Sequence, residues 1–127
     1  MRPIAADAVV IKDGKILLVK RDTEPFRGFW ALPGGRLEGD ETLEQCCTRE
    51  AKEESGIDVE IVRLIGIYSD PNRDPRKIIT MCFLCRPKGG KESPQQGEIS
   101  EVEWFPLDGL PPLASDHARM IKDALLV

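Results

Sequence analysis

The sequence lacks the features that would place a chain of 127 residues in a membrane or on nucleic acid. No apolar stretch approaches the length of a membrane span, and the charged N-terminal segment does not resemble a secretory leader. Basic residues are not in excess. The net charge is −4 and the pI is about 5.1, which argues against broad binding to nucleic acid or anionic membranes. We therefore expect no nucleic-acid partner and no membrane partner.

Histidine and cysteine are the usual ligands of zinc, and the sequence contains one histidine and four cysteines. The one histidine, His117, has no second catalytic group beside it in the sequence, so we expect it to be structural. Cys82 and Cys85 stand three positions apart in a predicted strand, so their side chains point to opposite faces and do not suit one metal ion. Cys46 and Cys47 lie on the inward side of a predicted helix. We expect four reduced core cysteines and a cytoplasmic location.

The sequence does contain apolar runs and turns that fit a single α+β domain over residues 1–127. One helix is predicted after Asp40 or Thr42, either of which suits an N-cap, and it ends at Gly56. A second helix is predicted from Ser115 to Leu126. With the strands, these helices predict a mixed β-sheet flanked by helices. The predicted strands are Ile4 to Ile11, Ile16 to Val19, Val59 to Tyr68, Ile78 to Cys85 and Val102 to Phe105, with 20–27, 69–76 and 87–97 as loops.

Three glutamates crowd one face of the first predicted helix. Glu50, Glu53 and Glu54 follow the spacing i, i+3, i+4, and two of them continue the apolar stripe that begins at Leu43. Unpaired carboxylates cannot be buried cheaply, so we expect a cation over them. Carboxylate oxygens without histidine or thiolate partners favour Mg²⁺ or Mn²⁺ over zinc. Arg49 has acceptors within reach at Gln45, Glu53 and Glu41, which indicates an orienting role.

The segment from Gly35 to Ile57 resembles the signature of the Nudix hydrolases. That signature is G-x5-E-x7-R-E-U-x-E-E-x-G-U, where U is a bulky aliphatic residue, and the small Ala51 takes the first U position. The resemblance continues at 29–35, 104–108 and 116–118, so it covers most of the chain. The matching positions of the signature are Gly35, Glu41, Arg49, Glu50, Glu53, Glu54, Gly56 and Ile57.

The resemblance implies an α/β/α sandwich and metal-dependent hydrolysis of a pyrophosphate bond in a nucleoside diphosphate derivative. Glu50, Glu53 and Glu54 resemble the metal ligands of the family, which the Gly35 carbonyl often joins. Glu41 and Arg49 resemble residues that hold the loop and the helix in register. Mg²⁺ is the expected cofactor, with Mn²⁺ as a substitute.

The family takes its general base from different places, and this sequence leaves the choice open. Glu98 lies on a polar loop six residues before Trp104 and resembles the loop base or an extra metal ligand. Glu101 is a second candidate, and the glutamates of the helix, Glu53 and Glu54, are further candidates. We expect Glu98 to be the base.

The substrate is predicted from the segment at 68–76, which resembles the region after the signature in ADP-ribose pyrophosphatases. Pro71 has the expected spacing, and Arg73 and Arg76 are candidate ligands of a terminal phosphate or ribose phosphate. Phe26 is a candidate for stacking on a base. We expect a small nucleotide, ADP-ribose, hydrolysed to AMP and ribose 5-phosphate. The alternatives are an oxidised nucleoside triphosphate such as 8-oxo-dGTP and a non-catalytic nucleotide-sensing module, and a homodimer is left open.

Overall fold

Strand β1 (Ile4–Lys12) lies at the centre of the sheet in the computed structural model, which describes residues 1–126. The elements after β1 are β2 (Lys15–Arg21), β3 (Trp30–Ala31), β4 (Gly34–Arg36), α1 (Leu43–Ser55), β5 (Ile57–Tyr68), β6 (Ile79–Gly90), β7 (Ile99–Pro106) and α2 (His117–Ala124). Strand β1 pairs in parallel with β6 and antiparallel with β2 and β4, so the sheet is mixed. The strand order is β3-β2-β1-β6-β5, with β4 added on β1 and β7 added on β2.

The two helices cover opposite faces of this sheet. Alternate residues of β1 point to opposite sides: Ala8 belongs to the apolar cluster under α1, and Val9 belongs to the cluster under α2. The four cysteines are free and buried, and Cys82 and Cys85 belong to these two different clusters. The prediction that this pair points to opposite faces is therefore confirmed.

Helix α1 begins and ends at residues that stabilise its termini. Thr42 forms a capping box with Gln45, so the first-turn N–H groups find partners. Gly56 ends the helix at φ +80°, where the left-handed conformation favours glycine. The buried stripe of α1 runs through Cys46, Cys47, Ala51 and Ser55. The prediction that Glu50 and Glu54 continue this stripe is wrong. The small Ala51 lets the helix pack closely, and the two glutamates lie beside the stripe.

Several element boundaries differ from the sequence-based prediction. Strand β6 continues to Gly90 through a segment predicted as a loop, because the long β5 supplies antiparallel partners as far as Ile57. The short strands β3 and β4 were not predicted, and their pairing depends on β2 and β1, distant parts of the chain. Helix α2 begins at His117 rather than Ser115. No helix within residues 1–126 has the length and apolar character needed to cross a membrane.

Candidate active site

Arg49 joins three segments around the start of α1 through its guanidinium group. Its Nε and Nη2 atoms donate to the two carboxylate oxygens of Glu41 at 2.8 and 2.7 Å. Its Nη1 donates to Glu53, with 3.0 Å to each oxygen, and Nη2 also reaches the Arg36 carbonyl at 3.1 Å. This hydrogen bonding lowers the pKa of Glu41 to about 2. The expected orienting contacts with Glu41 and Glu53 are present, whereas Gln45 instead accepts from the Thr42 N–H.

The chain turns from β3 into β4 at Leu32–Gly35, and this segment, called the turn below, brings backbone groups to the carboxylates of α1. The Gly34 N–H donates to Glu54 at 2.9 Å, and the Cys46 thiol donates to the Gly35 carbonyl at 3.4 Å. A Cβ atom on Gly35 would lie 2.0 Å from a carboxylate oxygen of Glu50. Glycine at this position therefore lets the Glu50 carboxylate pack directly against the backbone.

Two of these carboxyl groups are largely removed from water. Desolvation raises the pKa of Glu50 to about 7, and it raises the pKa of Glu54 to about 8. Glu53 is more exposed and is held by Arg49. A divalent cation would oppose this effect of burial, because its charge stabilises the carboxylate form of the groups beside it.

The donor set of this region fits a hard divalent cation. Glu50, Glu53, Glu54 and the Gly35 carbonyl offer oxygen atoms, which Mg²⁺ and Mn²⁺ prefer. Within residues 1–126, no three histidine, cysteine or acidic side chains are already grouped as a metal-holding cluster. Glu53 accepts from Arg49 and Glu54 accepts from the Gly34 N–H, and each carboxylate keeps further lone pairs that could bind a metal.

An open cleft unites most of the predicted site residues. Glu98 is exposed just before β7, and its backbone carbonyl accepts from the Asp22 N–H at 2.9 Å. Arg76 is half-buried and forms a two-point ion pair with Asp74 at 3.0 and 2.7 Å. The predicted site residues that line the cleft are Gly35, Arg49, Glu50, Glu53, Glu54, Arg76 and Glu98.

Comparison with known proteins identifies the family. A family model described as NUDIX domain matches residues 1–124. The chain belongs to the NUDIX family. An ADP-ribose pyrophosphatase of Methanocaldococcus jannaschii is 46% identical over 121 residues, which cover 94% of this chain and 71% of that protein. The predicted family is confirmed, and the chain is a Nudix hydrolase.

Solved structures of Nudix proteins share its fold. The NUDIX domain of Shewanella oneidensis NrtR, complexed with ADP ribose, is 32% identical with a TM-score of 0.86, over 98% of this chain and 86% of that one. A bifunctional NMN adenylyltransferase/ADP ribose pyrophosphatase of Francisella tularensis is complexed with AMP and a manganese ion. It is 28% identical with a TM-score of 0.86, over 98% of this chain and 41% of that one. The predicted Nudix fold, a mixed sheet flanked by helices, is confirmed.

Two predicted substrate ligands of this Nudix enzyme, Arg73 and Phe26, make contacts within the protein. The Arg73 side chain is 6% exposed and pairs with both oxygens of Asp116 at 2.9 Å. It also donates to the Ile78 carbonyl, so its donors are engaged within the protein. Phe26 is half-buried against the edge of Phe29, with 6.3 Å between ring centroids. Neither residue is included in the site proposed below.

Asp7 and Arg21 are features of the site region that the sequence reasoning missed. Asp7 is buried in β1, and desolvation raises its pKa to about 7. Arg21 lines the cleft at the end of β2 and donates to the Pro25 carbonyl at 2.8 Å. A cavity of about 80 Å³ adjoins the cleft, and its lining includes Asp7, Arg21, Glu54, Arg73 and His117. One acidic residue inside an apolar strand was the available signal for Asp7.

Proposed function

We propose that this Nudix hydrolase cleaves the pyrophosphate bond of ADP-ribose, giving AMP and ribose 5-phosphate, with Mg²⁺ as cofactor and Mn²⁺ as a substitute. The observation that carries the proposal is the 46% identity to the ADP-ribose pyrophosphatase of Methanocaldococcus jannaschii, which extends over 94% of this chain. The ADP ribose and AMP bound to the two structural relatives support the same class of ligand. The three glutamates of the signature helix, Glu50, Glu53 and Glu54, line one cleft, which favours catalysis over nucleotide sensing.

The residues that would hold the metal are Glu50, Glu53, Glu54 and the Gly35 carbonyl. When bound, the metal supplies charge neutralisation for the diphosphate and lowers the pKa of a coordinated water. Arg49 keeps Glu41 ionised and orients Glu53 through the contacts described above. Arg76 and Arg21 line the same cleft as the carboxylates, so their guanidinium groups are placed to donate to phosphate oxygens.

Glu98 is the proposed general base, which accepts the proton of the attacking water. Glu53 and Glu54 are engaged by Arg49 and by the Gly34 N–H. Within the described part of the chain, no side chain hydrogen-bonds to the Glu98 carboxylate, which faces an open cleft. Glu101 is instead paired with Lys20 at 3.3 Å. These contacts favour Glu98 over Glu101.

A substrate panel tests the proposal. Purified protein with Mg²⁺ is assayed on ADP-ribose, 8-oxo-dGTP, diadenosine polyphosphates, NADH and nucleotide sugars, and products are separated by chromatography. We expect the highest kcat/KM for ADP-ribose, with AMP and ribose 5-phosphate formed in equal amounts. A higher kcat/KM for 8-oxo-dGTP would support the oxidised-nucleotide alternative. Binding of ADP-ribose without turnover of any compound would instead indicate a sensing module.

A further inference from the structure

The Leu32–Gly35 turn must be placed accurately for the proposed reaction. It presents the Gly34 N–H to Glu54 at 2.9 Å and carries the Gly35 carbonyl, a proposed metal ligand. A Cβ atom on Gly34 would lie 2.0 Å from Asp7 Oδ1 and 2.6 Å from the Ala6 carbonyl oxygen. The turn is thus packed tightly against β1. Contacts on the other side of the turn therefore determine the directions of the Gly34 N–H and the Gly35 carbonyl.

His117 is the first residue of α2, the helix on the sheet face opposite to α1, and its side chain contacts this turn. The Leu32 N–H donates to His117 Nδ1 at 3.0 Å, which requires Nδ1 to be the unprotonated nitrogen. The neutral ring therefore carries its proton on Nε2, which lies 3.4 Å from Asp7 Oδ2. Burial lowers the pKa of His117 to about 4, in keeping with a neutral ring. One imidazole thus bridges the turn and the strand on which the turn packs.

The imidazole is itself fixed by contacts around the start of α2. Arg73 pairs with both oxygens of Asp116 at 2.9 Å, and the Ser115 hydroxyl donates to the Arg73 carbonyl at 2.7 Å. The Ala114 N–H donates to the Trp30 carbonyl at 2.8 Å, which ties the approach to α2 to strand β3. The internal ion pair of Arg73 is explained by this anchoring role.

We propose that His117 is a positioning residue for the reaction: its Nδ1 accepts the Leu32 N–H and so sets the turn whose Gly34 N–H and Gly35 carbonyl meet the glutamates of α1. This inference rests on the proposed function, since it assigns His117 to the metal-binding side of that same site. His117 does not line the cleft that holds the proposed metal ligands, so it acts through the turn.

Three substitutions separate this role from simple packing. His117→Asn keeps an acceptor, since the amide oxygen takes the position of Nδ1. His117→Gln places its amide near the position of Nε2, towards Asp7, and loses the acceptor for Leu32. His117→Leu fills similar space without polar atoms. Circular dichroism and thermal unfolding report on folding, and if the Leu variant does not fold, the Gln variant decides.

The readouts are Mn²⁺ affinity, measured from the electron paramagnetic resonance signal of free Mn²⁺, and kcat and KM for ADP-ribose. We expect the Leu and Gln variants to bind Mn²⁺ about tenfold more weakly and to lose about 100-fold in kcat, with KM changed by less than about threefold. The Asn variant should recover most of both losses. Wild-type affinity and kcat in His117→Leu or His117→Gln, or an Asn variant no better than Leu, would overturn the positioning role.

The wild-type measurements keep this inference separate from the proposed function. Wild-type protein that binds Mn²⁺ but does not hydrolyse ADP-ribose would refute the proposed substrate, while the Mn²⁺ affinities of the three variants would still decide the role of His117. Wild-type protein that shows neither binding nor turnover would overturn both. An active wild type with equally active Leu and Gln variants would overturn the role of His117 alone.

Discussion

Alanine substitutions at the neighbouring residues Gly34 and Gly35 should have different effects. Gly34→Ala should mainly lower stability, and Gly35→Ala should mainly lower activity. The new Cβ atom at Gly34 would meet backbone, with the Ala6 carbonyl oxygen at 2.6 Å and the Asp7 Cα at 2.8 Å. Backbone cannot rotate away, so β4 must separate from β1. We expect a loss of about 1–3 kcal/mol in the free energy of unfolding, which corresponds to a decrease of about 4–12 °C in Tm.

The new Cβ atom at Gly35 would meet the end of a side chain, the carboxylate of Glu50 at 2.0 Å. That group can rotate away, so Gly35→Ala should cost less than about 1 kcal/mol in stability. The same rotation moves a proposed metal ligand, so kcat should decrease about 100-fold and Mn²⁺ affinity should weaken. Activity is measured with ADP-ribose and Mg²⁺, and stability by calorimetry.

Gly89 provides a matched control for both variants. Its Cβ atom would have only Asp58 Oδ2 nearby, at 3.8 Å, so Gly89→Ala should retain the activity and stability of the wild type. If Gly34→Ala unfolds at the same temperature as Gly89→Ala, the reasoning about backbone contact is wrong. If Gly35→Ala retains full activity and Mn²⁺ affinity, Glu50 does not need the position it occupies here.

Further predictions concern the carboxyl groups of the cleft and of β1. Glu54→Gln keeps an acceptor for Gly34 but not the charge, so it should fold normally and lose metal-dependent turnover of ADP-ribose by at least about 100-fold. Glu98→Gln should lower kcat by about 10²–10⁴-fold, whereas Glu101→Gln should stay near wild type, and equal losses in this assay would contradict the choice of base. Asp7 has a pKa raised from 3.8 to about 7, so it binds its proton more tightly in the folded state than in the unfolded state. The stability that this bound proton contributes is present below pH 4 and is lost as the pH rises to about 7. Asp7→Asn should remove this loss. If calorimetry shows the same pH dependence of stability in the variant as in the wild type, another group titrates.

The placement of the three α1 glutamates could be predicted from sequence because its signals are local. Glu50, Glu53 and Glu54 lie within two turns of one helix. Its N-cap, Thr42, was one of the two predicted candidates, and its end at Gly56 is predicted from a single residue. Helical spacing alone therefore places these carboxylates side by side. The buried stripe of α1 differs from the predicted one, because α1 packs through Ala51 and Ser55 while the glutamates face the cleft.

The contacts of Arg73 and of the Leu32–Gly35 turn could not be predicted in the same way, because they join distant segments. Arg73 was expected at a loop surface, but its partner Asp116 is 43 positions away and no local pattern connects them. The contact of Leu32 with His117 spans 85 positions. Strand β4 consists of Gly34–Arg36, whose composition does not favour a strand, and it exists because β1 provides backbone partners.

These long-range contacts explain why the turn at Gly34 and Gly35 holds a fixed position between the two helices. From the α1 side it meets Glu54 and the Cys46 thiol, and from the α2 side it meets His117. Since α1 and α2 cover opposite faces of the sheet, the geometry of the carboxylates depends on packing that lies behind the site as well as on the signature itself. A chain with a complete signature but a different start to its second helix would therefore present the same glutamates to a differently placed turn.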